Sequence, residues 1–218
     1  MRKTLASLTL MAAFSAHAAV LDFDYTTQAI TTSAPTGLGA LLPVGSSGWY
    51  SQSYGDVAGL VDVTYSYFAP GSSTAGSSLA TWATGYDDLV YVAWSGSFQS
   101  VGDRGQVTLA SVGGSQVTLD SFDLGIWSGG RGVPETVTVY EIGQATPVFT
   151  QQFSENNNIA RTFSLGLTSK SGFVIEWTSP WWVAIDNISS SAAPIPEPGT
   201  WALMLAGMLA VGAAVRRR

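Results

Sequence analysis

The stretch Val61-Asp62-Val63-Thr64-Tyr65-Ser66-Tyr67-Phe68 decides the fold. Val61, Val63, Tyr65 and Tyr67 alternate with Asp62, Thr64 and Ser66. A period of two sends the apolar set to one face and the polar set to the other, which is the pattern of a half-buried strand. The same pattern recurs on both sides. Upstream, Val20 to Tyr25 reads as a strand, Thr26 to Ser47 is irregular, and Val57 to Phe68 includes the deciding stretch. Downstream, Leu89 to Trp94 reads as a continuous apolar strand. Gln106 to Ala110 and Gln116 to Leu119 flank a Gly113-Gly114 turn, and Phe122, Leu124 and Ile126 alternate against Asp123, Gly125 and Trp127. Thr136 to Ile142, Val148 to Phe153, Arg161 to Leu165, the Phe173-Ile175-Trp177 strand and Trp182 to Ser189 complete the series. About ten short strands with Gly and Ser at the turns, and no amphipathic helix among them, predict an all-β domain. The expected architecture is a β-sandwich of jelly-roll type.

Composition narrows what such a domain does. The chain has no cysteine, and its one histidine is His17. Beyond that residue neither a Ser-His-Asp nor a Cys-His triad can be assembled. The usual nitrogen and sulfur ligands for zinc or copper are missing too. Between residues 19 and 193 the charged residues are Arg104, Arg131, Arg161 and Lys170 against 14 carboxylates, a net charge of −10. That sign argues against nucleic acid as a partner. It suits an extracellular protein, or one that holds a hard cation through oxygen ligands.

Both ends of the chain carry targeting patterns. Arg2 and Lys3 precede an apolar run from Leu5 to Phe14, and Ala16-His17-Ala18 is a small-x-small cleavage pattern. Residues 1–18 are therefore expected to be a secretory signal peptide, with the mature chain starting at Ala19. At the other end, Pro196-Glu197-Pro198 leads into an apolar run to Val215, followed by Arg216, Arg217 and Arg218. Residues 199–215 are expected to form a single short membrane helix. The arginines would resist crossing and hold the C-terminus in the cytoplasm. The domain over residues 19–193 is then outside.

The order proline-glutamate-proline, apolar span and terminal arginine cluster resembles the PEP-CTERM sorting signal, with Ala184-Ile185-Asp186-Asn187-Ile188 as a common lead-in. Such a tail is also known as an ice-binding protein C-terminal domain. The resemblance covers residues 194–218. It implies recognition by exosortase, a membrane-embedded transpeptidase-like enzyme of Gram-negative bacteria that make exopolysaccharide. It also implies an inner-membrane intermediate on the way to the cell surface or the extracellular space. Gln116 to Asn187 is similar to the jelly-roll domains that precede many such tails, and to galactose-binding-like carbohydrate-binding modules. Val117-Thr118-Leu119-Asp120-Ser121-Phe122-Asp123-Leu124-Gly125 and Ala184 to Ile188 carry that likeness.

Candidate sites in the outer domain are few. Trp127 lies opposite the Phe122-Leu124-Ile126 face, and aromatic faces stack on the C–H faces of sugars. Asp123 shares its face and Arg131 follows closely, so the three form a candidate glycan site. Trp181 and Trp182 follow Pro180 at a turn, where core packing is expected; if one ring is exposed, the other must turn toward the strand below it. Asp22 and Asp24 on the first strand and Asp186 on the last are candidate calcium ligands, because first and last strands of jelly rolls lie close together. Asp87-Asp88, Asp120 with Asp123, and Glu176 are the acids that glycoside hydrolysis would need, but no spacing singles out a pair. Adjacent strand residues face opposite ways, which counts against Asp87 and Asp88 acting together. Thr136 and Thr138 share a strand face, yet no repeat extends them into an ice-binding plane. The reading is thus an exported, non-enzymatic cell-envelope or matrix protein sorted by exosortase. The alternatives for its outer domain are a carbohydrate-binding module of the exopolysaccharide matrix and a glycan-active enzyme.

Overall fold

The computed structural model describes residues 17–21, 23, 30–31, 48–50, 52, 54–82, 84–96, 101–128, 133–154, 158–194, 205–209, 211–212 and 215–216. Its strands, in chain order, are β1 (His17–Leu21), β2 (Ile30–Thr31), β3 (Trp49–Tyr50), β4 (Val61–Phe68), β5 (Ala80–Trp82), β6 (Val92–Trp94) and β7 (Arg104–Ser111). They continue with β8 (Ser115–Ile126), β9 (Glu135–Glu141), β10 (Pro147–Phe153), β11 (Arg161–Ser169), β12 (Gly172–Thr178) and β13 (Val183–Pro194). They form two sheets. One has eight strands in the order β11-β8-β13-β6-β5-β3-β2, with β1 also paired to β13; the other has five in the order β10-β9-β12-β7-β4. Every pairing is antiparallel. The all-β expectation therefore holds, and the two sheets enclose one core in sandwich-like fashion.

The alternation of β4 is realised as read: Val61, Val63, Tyr65 and Tyr67 are buried and the residues between them are not. On the same sheet Val107 and Leu109, Val137 and Val139, and Phe173, Ile175 and Trp177 point inward. They meet Val117, Leu119, Phe122, Leu124, Val183 and Ile185 from the opposite sheet. Each such side chain contributes about 1.5–3 kcal/mol by leaving water. One polar link crosses this apolar layer: the buried Trp177 indole N–H donates to the Val183 carbonyl at 3.0 Å. Without an acceptor that N–H would incur a desolvation cost of about 1–3 kcal/mol.

The structure differs from the sequence reading in four places. Gln116–Leu119 and the Phe122–Ile126 alternation belong to one strand, β8. Ser115, Val117 and Leu119 are buried, then Phe122, Leu124 and Ile126, so the inward set changes from odd to even positions at Asp120-Ser121. Both neighbours slip in step, β11 between Ser164 and Leu167 and β13 between Asp186 and Ser189. Gly166 (φ 63°) and Asn187 (φ 50°) take left-handed backbone at those slips. Such a bulge re-aims the side chains that follow it. Second, the Gly113-Gly114 turn falls between two strands as read, and the structure adds that these strands are not paired with each other. It carries the chain from β7 in one sheet to β8 in the other. Third, the apolar run from Leu89 is not one strand: Leu89 closes a turn on Tyr86, Tyr91 has φ 61°, and only Val92–Trp94 is extended. Fourth, the first strand runs from His17 to Leu21, where the sequence reading ran it from Val20 to Tyr25, and it places His17 opposite Ala192. The rest of the expected signal peptide lies outside the described residues.

In the C-terminal segment, residues 205–209, 211–212 and 215–216 are helical and exposed. Leu205, Met208, Leu209, Val211 and Val215 all face outward. Among the described residues no helix is long and apolar enough to cross a membrane. Pro196, Glu197, Pro198, Arg217 and Arg218 lie outside those residues.

The core geometry sets one expectation. A Cβ on Gly105 would come within 2.5 Å of the Trp177 ring, so that indole fills its site against bare backbone. Trp177→Ala should lower the unfolding free energy by about 3–5 kcal/mol, measured by urea denaturation. A loss under 1 kcal/mol would mean that the site collapses around the smaller residue.

Candidate functional site

A bowl of aromatic rings lies on the outer face of the eight-stranded sheet. Its cavity of about 170 Å³ is lined by Trp82, Tyr86, Trp94, Trp127 and Trp181. The strands explain how these residues meet. Along β6, Ala93 enters the main core, so Val92 and Trp94 face the opposite way. Trp82 shares that outer side, since it pairs with Val92 across β5 and β6. In β13, Val183 and Ile185 are core residues and Ala184 between them packs in the outer cluster. Trp127 follows β8 on the parity that its bulge has turned outward.

The centre of this face carries almost no side chain. Ala184 sits opposite Gly125 in the register of β13 and β8. A Cβ on Gly125 would stand 2.6 Å from the Tyr86 carbonyl oxygen, so the Tyr86–Leu89 turn lies directly on the sheet. Asp87, with φ 52°, fixes that turn: its Oδ2 accepts the Ile126 N–H at 2.7 Å. Its own N–H donates to the Ile126 carbonyl at 3.1 Å. The Tyr86 hydroxyl donates to the Trp181 carbonyl. Burial pushes that hydroxyl's pKa far up, so it remains a neutral donor.

The rings stand at steep angles to one another. Trp82 and Trp94 are 5.4 Å apart at 66°, Trp82 and Trp127 are 5.9 Å apart at 70°, and Tyr86 and Trp127 are 5.2 Å apart at 67°. Trp94 and Trp127 reach Trp181 at 6.3 and 6.2 Å. Trp82, Trp94, Trp181 and Trp127 thus close a four-membered circuit of indoles. Edge-to-face pairs of this kind add about 0.5–1.5 kcal/mol beyond burial. The main chain holds the circuit: the Trp127 N–H donates to the Trp182 carbonyl at 2.8 Å and the Ser128 N–H to that of Gly85 at 2.8 Å. The Trp94 indole N–H donates to the Thr81 carbonyl at 3.2 Å.

The sequence singled out Trp127, and the structure puts it in this bowl. The expected partner Asp123 is half-buried, and its Oδ2 accepts the Asn187 side-chain amide at 2.9 Å. Arg131 lies outside the described residues. Trp181 and Trp182 do not enter the main core as expected. Both are half-buried, with Trp181 in the bowl wall and Trp182 edge-on to it at 4.5 Å. Trp82, Tyr86 and Trp94 were not picked out from sequence, because their meeting depends on sheet pairing. The one local signal was position: Trp82 and Trp94 each end a strand of three residues.

Of the candidate acids, Asp88, Asp123, Asp186 and Glu176 are engaged in the framework, and Asp120 is exposed. Asp186 Oδ1 accepts the N–H groups of Phe23 at 3.1 Å and Asn187 at 2.7 Å. Asp22 and Asp24 lie outside the described residues. Among the described residues no three acids gather in a way that could hold a metal. Asp88 accepts the Ala160 N–H at 2.7 Å, and Glu176 pairs with Arg104 at 3.2 Å. Beside Thr138 the sheet places Thr150 of β10 on one side and Glu176 of β12 on the other, so the threonine face extends over two strands and stops at a carboxylate.

Gly85 supports the bowl from below. Its φ is 101°, and a Cβ there would meet the Trp127 ring at 2.6 Å. Gly85→Ala should destabilise the protein by about 1–3 kcal/mol and change its near-ultraviolet circular dichroism. Gly71→Ala, also at positive φ but with open space around it, should leave that signal intact. Identical spectra for both variants would detach Trp127 from Gly85.

No curated protein matches this chain. A family model described as the PEP-CTERM protein-sorting motif matches residues 194–218. The chain therefore carries a PEP-CTERM protein-sorting motif and is an exported protein addressed to exosortase.

Proposed function

We propose that the chain is a non-enzymatic cell-envelope protein whose jelly-roll-like outer domain is displayed at the surface and binds a ligand through its aromatic bowl. The single observation that carries the sorting half is the motif over residues 194–218. The N-terminal signal peptide starts export. The apolar span over residues 199–215 then holds the chain in the inner membrane, with Arg216 to Arg218 in the cytoplasm. The outward-facing leucine, methionine and valine side chains of the described helical residues support this, because they have no protein partner to cover them. Pro198 suits the helix threshold, where a missing N–H costs nothing. Exosortase meets the Pro196-Glu197-Pro198 segment and processes the tail.

The binding half draws on the bowl. Four half-exposed indoles around one cavity are an unusual use of tryptophan on a surface, and their rigidity limits the entropy lost on binding. The alternative drawn from the sequence is an exopolysaccharide sugar stacked on Trp127. The non-catalytic reading is supported by the acids: Asp87, Asp88 and Glu176 are all hydrogen-bonded within the framework.

Two measurements test the sorting half. In a strain with exosortase the mature protein should have an intact mass that excludes Arg216, Arg217 and Arg218; a mature mass that includes them defeats the processing step. In a strain without it, Leu203→Asp with Leu209→Asp should move the protein from the membrane to the soluble fraction. Unchanged retention would remove the membrane helix from the account.

A further inference from the structure

The bowl has walls and almost no polar lining, and this selects among ligand chemistries. Its rings are inclined to one another by 55–70° and form a box, whereas a sugar-stacking platform presents one open face. Two polar atoms that could have served a ligand are already used: the Tyr86 hydroxyl binds the Trp181 carbonyl, and the Trp94 N–H binds the Thr81 carbonyl. The five lining residues include no carboxylate, amide, lysine or arginine. A sugar entering this box would strip water from its hydroxyls without replacing those hydrogen bonds, at a cost of about 1–3 kcal/mol each. A primary ammonium fails for the same reason, since its three N–H groups need acceptors.

A cation clad in methyl groups escapes that penalty. It has no N–H to satisfy, its methyls match an apolar wall, and its charge is attracted to the negative face of each indole. The wider field has the right sign. The outer domain carries a net charge of −10, and Asp87 and Asp88 directly follow Tyr86 in the chain. Such a field concentrates cations near the surface. The bowl is also built in advance, because backbone hydrogen bonds of Trp127 and Ser128 and the contact with Gly85 fix the ring positions.

We propose that the circuit of Trp82, Trp94, Trp181 and Trp127 over Tyr86 is a cage for a quaternary trimethylammonium group. This rests on the reading of the bowl as the ligand site and names the chemistry that it selects. The group can arrive on a free solute or on the headgroup of a lipid or polymer.

The test titrates the purified full chain while following tryptophan fluorescence and heat. The probes are choline, its neutral carbon isostere 3,3-dimethylbutan-1-ol, phosphocholine, glucose and galactose. Choline should bind saturably, and the isostere roughly tenfold more weakly, because only the charge differs. Trp127→Ala should abolish choline binding. Trp127→Phe, which keeps a ring in the wall and guards against misfolding of the alanine variant, should weaken binding without abolishing it. Phosphocholine as tight as choline points to a headgroup, and choline clearly tighter points to a free solute. Equal binding of choline and its isostere overturns the cage. Saturable binding of a sugar without choline also overturns the cage but leaves the binding-module reading standing. Silence with every probe removes both and leaves only the sorting assignment.

Discussion

The contact between the Tyr86 carbonyl and Gly125 governs the outer half of this molecule. A sheet face normally presents side chains that keep other backbone about 10 Å away. Here Gly125 and Ala184, side by side in neighbouring strands, clear a patch on which a turn can rest. The turn is then tied down by Asp87 on the Ile126 backbone. Tyr86 comes with it and supports Trp127 from below. Glycine inside a strand weakens it through lost packing and backbone entropy, and it commonly marks a close approach of another backbone. The strand interior accepts that cost, and the bowl is what the close approach makes possible.

Much of the fold was legible because a half-buried strand writes its burial into its sequence. Val61 to Phe68, Phe122 to Ile126 and Phe173 to Trp177 each show the inward face as every second residue, and each keeps that phase in the structure. The failures occur where burial depends on partners. Nothing local at Asp120-Ser121 announces that the strand continues through a change of phase, because the slip is shared with Gly166 and Asn187 on two other strands. The apolar run Leu89 to Trp94 looks like a buried strand, and Leu89, Val92 and Ala93 are indeed buried while Val90 is exposed. It lies partly on top of the sheet, however, and the left-handed backbone at Asp87 and Tyr91 breaks it.

The site follows the same logic. Trp127 could be found because its own strand assigns it to the face opposite Phe122, Leu124 and Ile126. Its ring partners come from segments 33 to 54 residues away in sequence, and only the pairing of β5, β6, β13 and β8 brings them together. Asp123 and Asp186, which the sequence assigned to two different candidate sites, stand opposite each other in register. Both now read as fasteners. Asp186 holds the backbone at Phe23 and Asn187, and Asp123 holds the Asn187 amide beside the bulge.

The strand β13 lies between β8 on one side and both β6 and β1 on the other. It is therefore the piece that joins the beginning of the domain to its middle, and it is the last strand to be made. Contacts between such distant segments form slowly, since the chain between them must first be closed into a loop. A nascent chain that lacks Val183–Pro194 leaves β1, β6 and β8 each without a pairing partner on one edge. The sorting motif begins at the residue where β13 ends. Completion of the sheet and appearance of the address are thus consecutive events on one polypeptide. A chain broken off early neither closes its sheet nor presents the address, so only a chain able to complete its fold reaches the sorting enzyme.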